Sequence, residues 1–300
     1  MINSGAALKA SEFFIIVIFD IMKTLLFLLF VTTAFAQHSV IVGDDSNKQP
    51  IPYVNIWWND GGSGGTCDIN GKYSFDGSIG QKMTLSAVGY ETRSIELSRT
   101  TDTIFLKQQV LALKEVPIRR IQHKIIKLGS LKSSNINYAV IPDYAVRIFA
   151  KKFKLPTTEA NAFLKKLSVK TQANLPQTIL NVRFYSVNES GEPGDLLYHE
   201  NVLMEIKKGN HTSTIDLNDR QIEFPPTGIF IALENLLLEQ NRFEISYQME
   251  SSDTLKTVSI YEPRIKMLEN RNEKDTWSFD GEKWKVNEKH SISMELVVGF

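Results

Sequence analysis

Short stretches of alternating apolar and polar residues recur along this chain, separated by turn-forming residues. In residues 53–58, Val54, Ile56 and Trp58 fall on one face and Tyr53, Asn55 and Trp57 on the other. A pleated strand gives that pattern because successive side chains point to opposite sides. Residues 82–88 bring Met83, Leu85 and Ala87 together, Ile95 and Leu97 repeat the spacing, and Thr103 to Leu106 closes the series, while residues 38–42 alternate weakly. Gly61-Gly62-Ser63-Gly64-Gly65 reads as a flexible loop. Residues 66–69 and 72–75 flank Asn70-Gly71, which predicts a type I′ hairpin whose two central residues both take positive φ. Several short strands within about 70 residues predict a small β-sandwich.

The second half is again strand-rich. Asn181 to Val187 and Leu196 to Ile206 flank the turn Glu192-Pro193-Gly194-Asp195. Ile215-Asp216-Leu217 leads through Phe224-Pro225-Pro226-Thr227-Gly228 to Ile229–Leu233, an apolar run that reads as buried. Residues 157–166 fit one short helix. Residues 277–284 read as a two-residue hairpin about Asp280-Gly281, which sets Trp277 opposite Trp284. Residues 111–135 form a basic connector carrying Arg119, Arg120, Lys124, Lys127 and Lys132. It is a solvated linker or an exposed strand edge, where positive charge discourages unwanted pairing. A nucleic-acid or lipid-headgroup patch is the rival reading.

The N-terminus has a different plan. Met22-Lys23 opens a short basic region, Leu25 to Val31 is fully apolar, and Ala34-Phe35-Ala36 places small residues where a signal peptidase reads, before Gln37. These are the three parts of a secretory signal peptide. Residues 1–21 have no place in that plan, so Met22 is the expected start and residues 1–36 the expected leader. A membrane anchor over residues 13–36 competes, but Asp20 and Lys23 inside it would each cost ~2.5–3.5 kcal/mol near the bilayer centre. No later stretch is long and apolar enough to span a membrane as a helix.

Lys+Arg and Asp+Glu both total 34 in 300 residues, which leaves no electrostatic footprint for nucleic acid. The single cysteine, Cys67, has no partner for a disulfide within the chain.

The search for chemistry is largely negative. None of His38, His123, His199, His211 and His290 has Glu three residues on, and His199-Glu200 lacks the second His at position 203 that a zincin motif requires. Gly61 to Gly65 satisfies the letters of a nucleophile elbow but not its strand-to-helix context. Asp68-Ile69-Asn70-Gly71 opens like a calcium loop, but position 79 is Ile where a bidentate Glu belongs. Sequence therefore assigns no catalytic, cofactor-binding or metal-binding residue and no cofactor. Trp57 and Trp58 are candidate stacking residues for a ligand; the competing reading is an interdomain contact or a second small core. Asp102-Thr103-Ile104 and Asp253-Thr254-Leu255 make Thr103 and Thr254 candidate O-glycosylation positions.

Four stretches occur in a familiar order: Pro50 to Ile56, Gly65 to Phe75, Ser86 to Thr92, and Ile104-Phe105-Leu106 followed by Leu113-Lys114-Glu115-Val116. Over about residues 37–118 the chain closely resembles the carboxypeptidase regulatory-like domain of bacterial envelope proteins, typical of the Bacteroidota. The resemblance implies a transthyretin-like (prealbumin) sandwich and an accessory rather than a catalytic role. Asn181 to Ser186, Gly191 to Leu197, Ile215-Asp216-Leu217 and Ile229 to Glu234 resemble a β-sandwich tail that often follows this domain and brings no activity to transfer.

The resulting expectation is all-β. Residues 1–36 are a signal peptide, 37–110 the regulatory-like sandwich, 111–135 a connector and 136–300 a jelly-roll-like sandwich. The expected function is a non-catalytic structural or interaction protein of a Gram-negative envelope, periplasmic or at the surface, with a protein or glycan partner and no nucleic acid. A carbohydrate-binding envelope protein is the alternative. A hydrolase built from residues far apart in sequence comes third.

Overall fold

In this computed structural model, residues 18, 22–23, 38–59, 63–75, 80–98, 101–109, 124–131, 138–140, 146–156, 162–248, 255–269 and 274–300 are described. The expected cleavage-site residues Ala34, Ala36 and Gln37, and the glycosylation candidate Thr254, lie outside them. Among the described residues from His38 onward the regular structure is strand, apart from single 3-10 turns at Asn218–Arg220 and Glu239–Asn241.

The first module holds β1 (His38–Asp44), β2 (Asn55–Trp58), β3 (Ser63–Thr66), β4 (Lys72–Phe75), β5 (Lys82–Ser86), β6 (Arg93–Glu96) and β7 (Thr103–Leu106). A three-stranded sheet in the order β4-β1-β7 and a four-stranded sheet in the order β3-β2-β5-β6 share one core. Val40, Val42, Ile104 and Leu106 enter it from one side, and Val54, Ile56, Trp58, Met83 and Leu85 from the other. Pairing of β1 with β7 is parallel, with Ile41 opposite Thr103. The alternation read from the sequence is the alternation observed: Met83, Leu85 and Ala87 are all buried.

Two local expectations are corrected. Asn70-Gly71 does not close a hairpin between sheet neighbours, because β3 pairs with β2 and β4 with β1. Gly71 has φ 69°, but Asn70 is not among the residues at positive φ, so the turn is not type I′. It is built instead on Asp68, whose carbonyl accepts from Gly71 and whose Oδ1 accepts from the N–H of Asn70 and Lys72 at 2.9 Å. Ser63 to Gly65, read as loop, belong to β3 and pair with Trp58 to Ile56.

The second module holds β8 (Ile125–Ser130), β9 (Tyr138–Val140), β10 (Ile148–Phe153), β11 (Phe163–Val187), β12 (Pro193–Leu196), β13 (Val202–Asp216) and β14 (Ile229–Asn235). It continues with β15 (Arg242–Gln248), β16 (Leu255–Tyr261), β17 (Arg264–Glu269), β18 (Thr276–Phe279), β19 (Trp284–Asn287), β20 (His290–Ile292) and β21 (Met294–Gly299). Twelve of these strands form one hydrogen-bonded network, whose longest path is β19-β18-β10-β14-β11-β17-β20; β15 and β16 form a separate two-stranded ribbon.

The 25-residue β11 organises this network. Its first part pairs with β21, its last part with β14, and β13 runs beside it through a register shift between Ala173 and Gln177. The buried Glu262 carboxylate accepts from the N–H of Asn174 (2.5 Å) and Leu175 (3.0 Å) at that shift. The buried carboxylate thereby gains the donors that a buried charge requires. Leu167, Leu180, Phe184, Met204, Ile231 and Leu296 lie in the resulting core. Burying a side chain such as Phe184 contributes ~1.5–3 kcal/mol.

The short helix expected over residues 157–166 is not formed where it is described: Phe163 to Lys166 start β11 as strand. Pairing with β21 decides the conformation there, overriding local propensity. Within the segment read as a solvated linker or an exposed strand edge, Ile125–Ser130 is strand β8, paired with β21 and alternately exposed. Trp277 does not face Trp284. The β18–β19 turn spans residues 280–283, so Phe279 opposes Trp284 and Trp277 opposes Val286.

Candidate functional site

Alternation along β2 sends Trp58 into the first module's core, where its Nε1 donates to the Tyr73 hydroxyl (3.2 Å) and its ring lies 4.9 Å from Phe75. Trp57 faces the other way and is also buried, at 3% exposure, packed with Val146, Leu237, Tyr261 and Phe279. Both indoles named as stacking candidates are therefore interior, and Trp57 lies where the two modules meet.

A buried polar network crosses the same junction. Glu234 at the end of β14 is fully buried, and Arg183 on β11 is nearly so. Arg183 Nε donates to Glu234 Oε2 at 2.8 Å and Nη2 pairs with Oε1. Asn181 Nδ2 donates to Oε2 at 2.8 Å, and Asn55 Nδ2, from the first module, donates to Oε1. Thr66 Oγ1 accepts from the backbone N–H of Leu237 at 3.0 Å and donates to Asn55 Oδ1 at 3.3 Å. Burial opposes the Arg183 cation, but Glu234 and the Tyr185 hydroxyl outweigh it and stabilise the charged form. The carboxylate is thus fixed by donors from both modules, as a buried charge requires.

Beside this network the modules leave an open cleft of about 180 Å³. One wall is the turn after β5, with Ser86, Ala87, Gly89 and Tyr90; the other presents Tyr185, Leu196, Phe279 and Trp284, with Arg183 and Ile148 also lining it. Trp284 stands edge-on to Tyr185 at 5.5 Å and tilted against Phe279 at 5.2 Å, forming a corner of rings. These rings are half-buried.

Two devices hold the walls in place. Tyr90 donates its hydroxyl to Asp44 Oδ2 at 2.9 Å, and Gln108 donates to the same oxygen at 2.5 Å. Hydrogen bonds from the Ser46 hydroxyl, Gln108 and the Ser46 backbone outweigh burial and keep the Asp44 carboxyl far below the ordinary range. Burial and the bond to Asp44 push the Tyr90 phenol up to about 12. The 280–283 turn lies directly on Trp57. A Cβ at Gly281 would sit 2.6 Å from Trp57 Cδ1, and its φ of 105° is one that other residues rarely adopt. The Trp57 indole N–H is buried without a hydrogen-bond partner among the described residues.

A larger hollow of about 740 Å³ lies near Lys151, Lys152, Asp275 and Ser291. Two of its cations are already engaged. Lys151 Nζ reaches Ser291 Oγ (2.7 Å), the Ile292 carbonyl (2.8 Å) and Asp275 (3.2 Å), and Lys152 donates to the Gly191 carbonyl (2.9 Å).

Thr103 is exposed on β7, an edge strand. His199 is half-buried, with burial pulling its pKa down, and His211 Nε2 lies 2.7 Å from the Lys208 carbonyl. Cys67 is fully buried and its thiol is pushed up by burial first and by Asp68 second. Among the described residues no group of three or more His, Cys, Asp or Glu could hold a metal ion, and no helix is long and apolar enough to cross a membrane.

The face of β2 that carries Trp57 and Asn55 reads from sequence as a ligand-stacking surface or an interdomain contact, and the contact is what is observed. The polar network on that face was missed from sequence. Glu234 carries a faint signal, because apolar residues 229–233 and 236–238 enclose it. A charge so placed must be buried and paired, but nothing local names Arg183 or Asn55 as its partners.

Fold and cleft define an all-β protein of two joined sandwich modules with an aromatic-lined recess where they meet. Residues 41–118, which span most of the first module, match the family model of the CarboxypepD_reg-like domain. No curated protein matches the chain. A solved structure described as "Structure of infectious bursal disease virus Gx strain" aligns over 82% of this chain and 60% of that one, at 10% identity and a TM-score of 0.27. That likeness carries no argument about fold or function.

Proposed function

We propose that this is a non-catalytic binding protein of a Gram-negative cell envelope, of the kind found in Bacteroidota, in which a jelly-roll-like tail completes the binding surface of a regulatory-like domain. The observation that carries the reading is the state of the polar groups around the junction cleft. The Arg183 charge is held by Glu234 and the Tyr90 hydroxyl by Asp44, so each is committed to holding the walls. General acid–base work needs a group near its own pKa at operating pH. Burial, joined at Tyr90 by the bond to Asp44, pushes the phenols of Tyr90 and Tyr185 above their ordinary value and so further from neutral pH. Such a cleft is built to hold a molecule rather than to transform it.

Export rests on the leader that ends at Ala36, and the periplasm or outer surface is the compartment it implies. Thr103, exposed on its edge strand, is open to glycosylation in that compartment. Purification from the native cell tests the reading. A mature N-terminus at Gln37 in the envelope fraction is expected. A cytoplasmic chain that retains residues 1–36 would overturn it.

A further inference from the structure

We propose that the junction cleft takes one neutral pyranose ring of a glycan; this rests on the binding reading above and names its ligand. Size comes first. At about 180 Å³ the cleft is smaller than the ~300–1,000 Å³ typical of drug-sized ligands, so it admits about one ring. Wall chemistry comes second. Trp284, Tyr185 and Phe279 offer half-buried ring surface at a corner, 5.5 and 5.2 Å between neighbouring centroids. Aromatic faces carry partial negative charge, and the axial C–H groups on one face of a pyranose carry the complementary partial positive charge.

Charge comes third. Arg183 lines the cleft with its counter-charge already supplied by Glu234. An anionic ligand would have to compete with Glu234, and a cationic one would meet the guanidinium, so a neutral ligand fits. Polarity comes last. Ser86 and Gln109 also line the cleft. A hydroxyl-rich ring can engage such groups. A proline or aromatic side chain of a peptide would use the rings and leave these polar groups unmatched.

The test uses the purified protein and four probes: the methyl pyranosides of glucose, galactose, mannose and N-acetylglucosamine. Tryptophan fluorescence and saturation-transfer NMR read binding. At least one probe should bind saturably with a Kd on the order of 1 mM. Trp284→Ala removes a wall of the corner, and Leu196→Trp fills the cleft; each should weaken binding about tenfold or more. Melting curves establish that the variants are folded, and if Trp284→Ala fails to fold, Leu196→Trp decides.

The proposal is overturned if no pyranoside binds at concentrations well above the millimolar range. It is also overturned if binding survives unchanged in Leu196→Trp, or if prolinamide or tyrosinamide saturates the cleft where the sugars do not. Failure here leaves the envelope reading separately answerable, because that depends on the mature N-terminus and cell fraction.

Discussion

Replacing Glu234 with Gln probes the junction at its most sensitive atom pair. The exchange preserves shape and removes the negative charge that the Arg183 guanidinium faces, at side-chain exposures of 7% for Arg183 and 0% for Glu234. The new amide can still accept at one oxygen, but its NH₂ must confront donors from Arg183 and from Asn55 or Asn181. Removing one partner of a buried ion pair typically costs about 3–5 kcal/mol, against a total stability of roughly 5–15 kcal/mol. At about 2–4 °C per kcal/mol for a chain of this size, Tm should fall by about 6–20 °C.

Urea unfolding followed by tryptophan fluorescence, with calorimetry for Tm, measures the loss. The comparison is Glu288→Gln, whose partner Lys274 is 71% exposed; that change should stay within about 0.5 kcal/mol. Replacing Arg183 and Glu234 together with Met should restore much of the loss, because the orphaned charge goes with its partner. A Glu234→Gln loss below about 1 kcal/mol would refute the network as a determinant of stability.

Three further outcomes are expected. Asp44 has a folded pKa held below its unfolded value, so the stability it contributes is present above about pH 4 and lost as pH falls through the folded value. The stability gap between wild type and Asp44→Asn should therefore narrow in acid, and a gap that widens there would contradict the assignment. Gly281→Ala should cost about 1–3 kcal/mol, because its backbone is unfavourable for Ala and its methyl meets Trp57; calorimetry showing no loss would contradict the close approach. Cys67 should react with a thiol reagent only as fast as the protein unfolds, since it is fully buried with its thiolate disfavoured; rapid labelling under native conditions would contradict that burial.

The first module was the more legible half. Its strands are short, each bounded by turn residues, and each buries one face, so a period of two maps directly onto Met83, Leu85 and Ala87. The second module is harder because β14 is buried on both faces and carries no alternation, while β11 runs through a bulge that resets its register. Residues 163–166 show the limit of local reading, since their partner in β21 lies more than a hundred residues away. Turn geometry was misjudged at three places. Pro193 to Asp195, read as turn, belong to β12, and the turn lies at Asn188 to Glu192. At Asn70-Gly71 the flanking strands belong to different sheets, and at Asp280-Gly281 the turn widens as Gly281 seats on Trp57. Alternation correctly sent Trp57 and Trp58 to opposite faces. What covers the second face, and hence the cleft beside it, depends on long-range contacts that no local pattern encodes.

Hydrogen exchange in the native protein addresses the joining of the modules most directly. If one buried junction unites them, amides of β2 and β14 and the Leu237 N–H bonded to Thr66 will open together, with a single free energy near that of global unfolding. Exchange of residues 40–106 at a distinctly lower free energy, with β14 still protected, would mean that the modules open independently and that the cleft between them is not a fixed site.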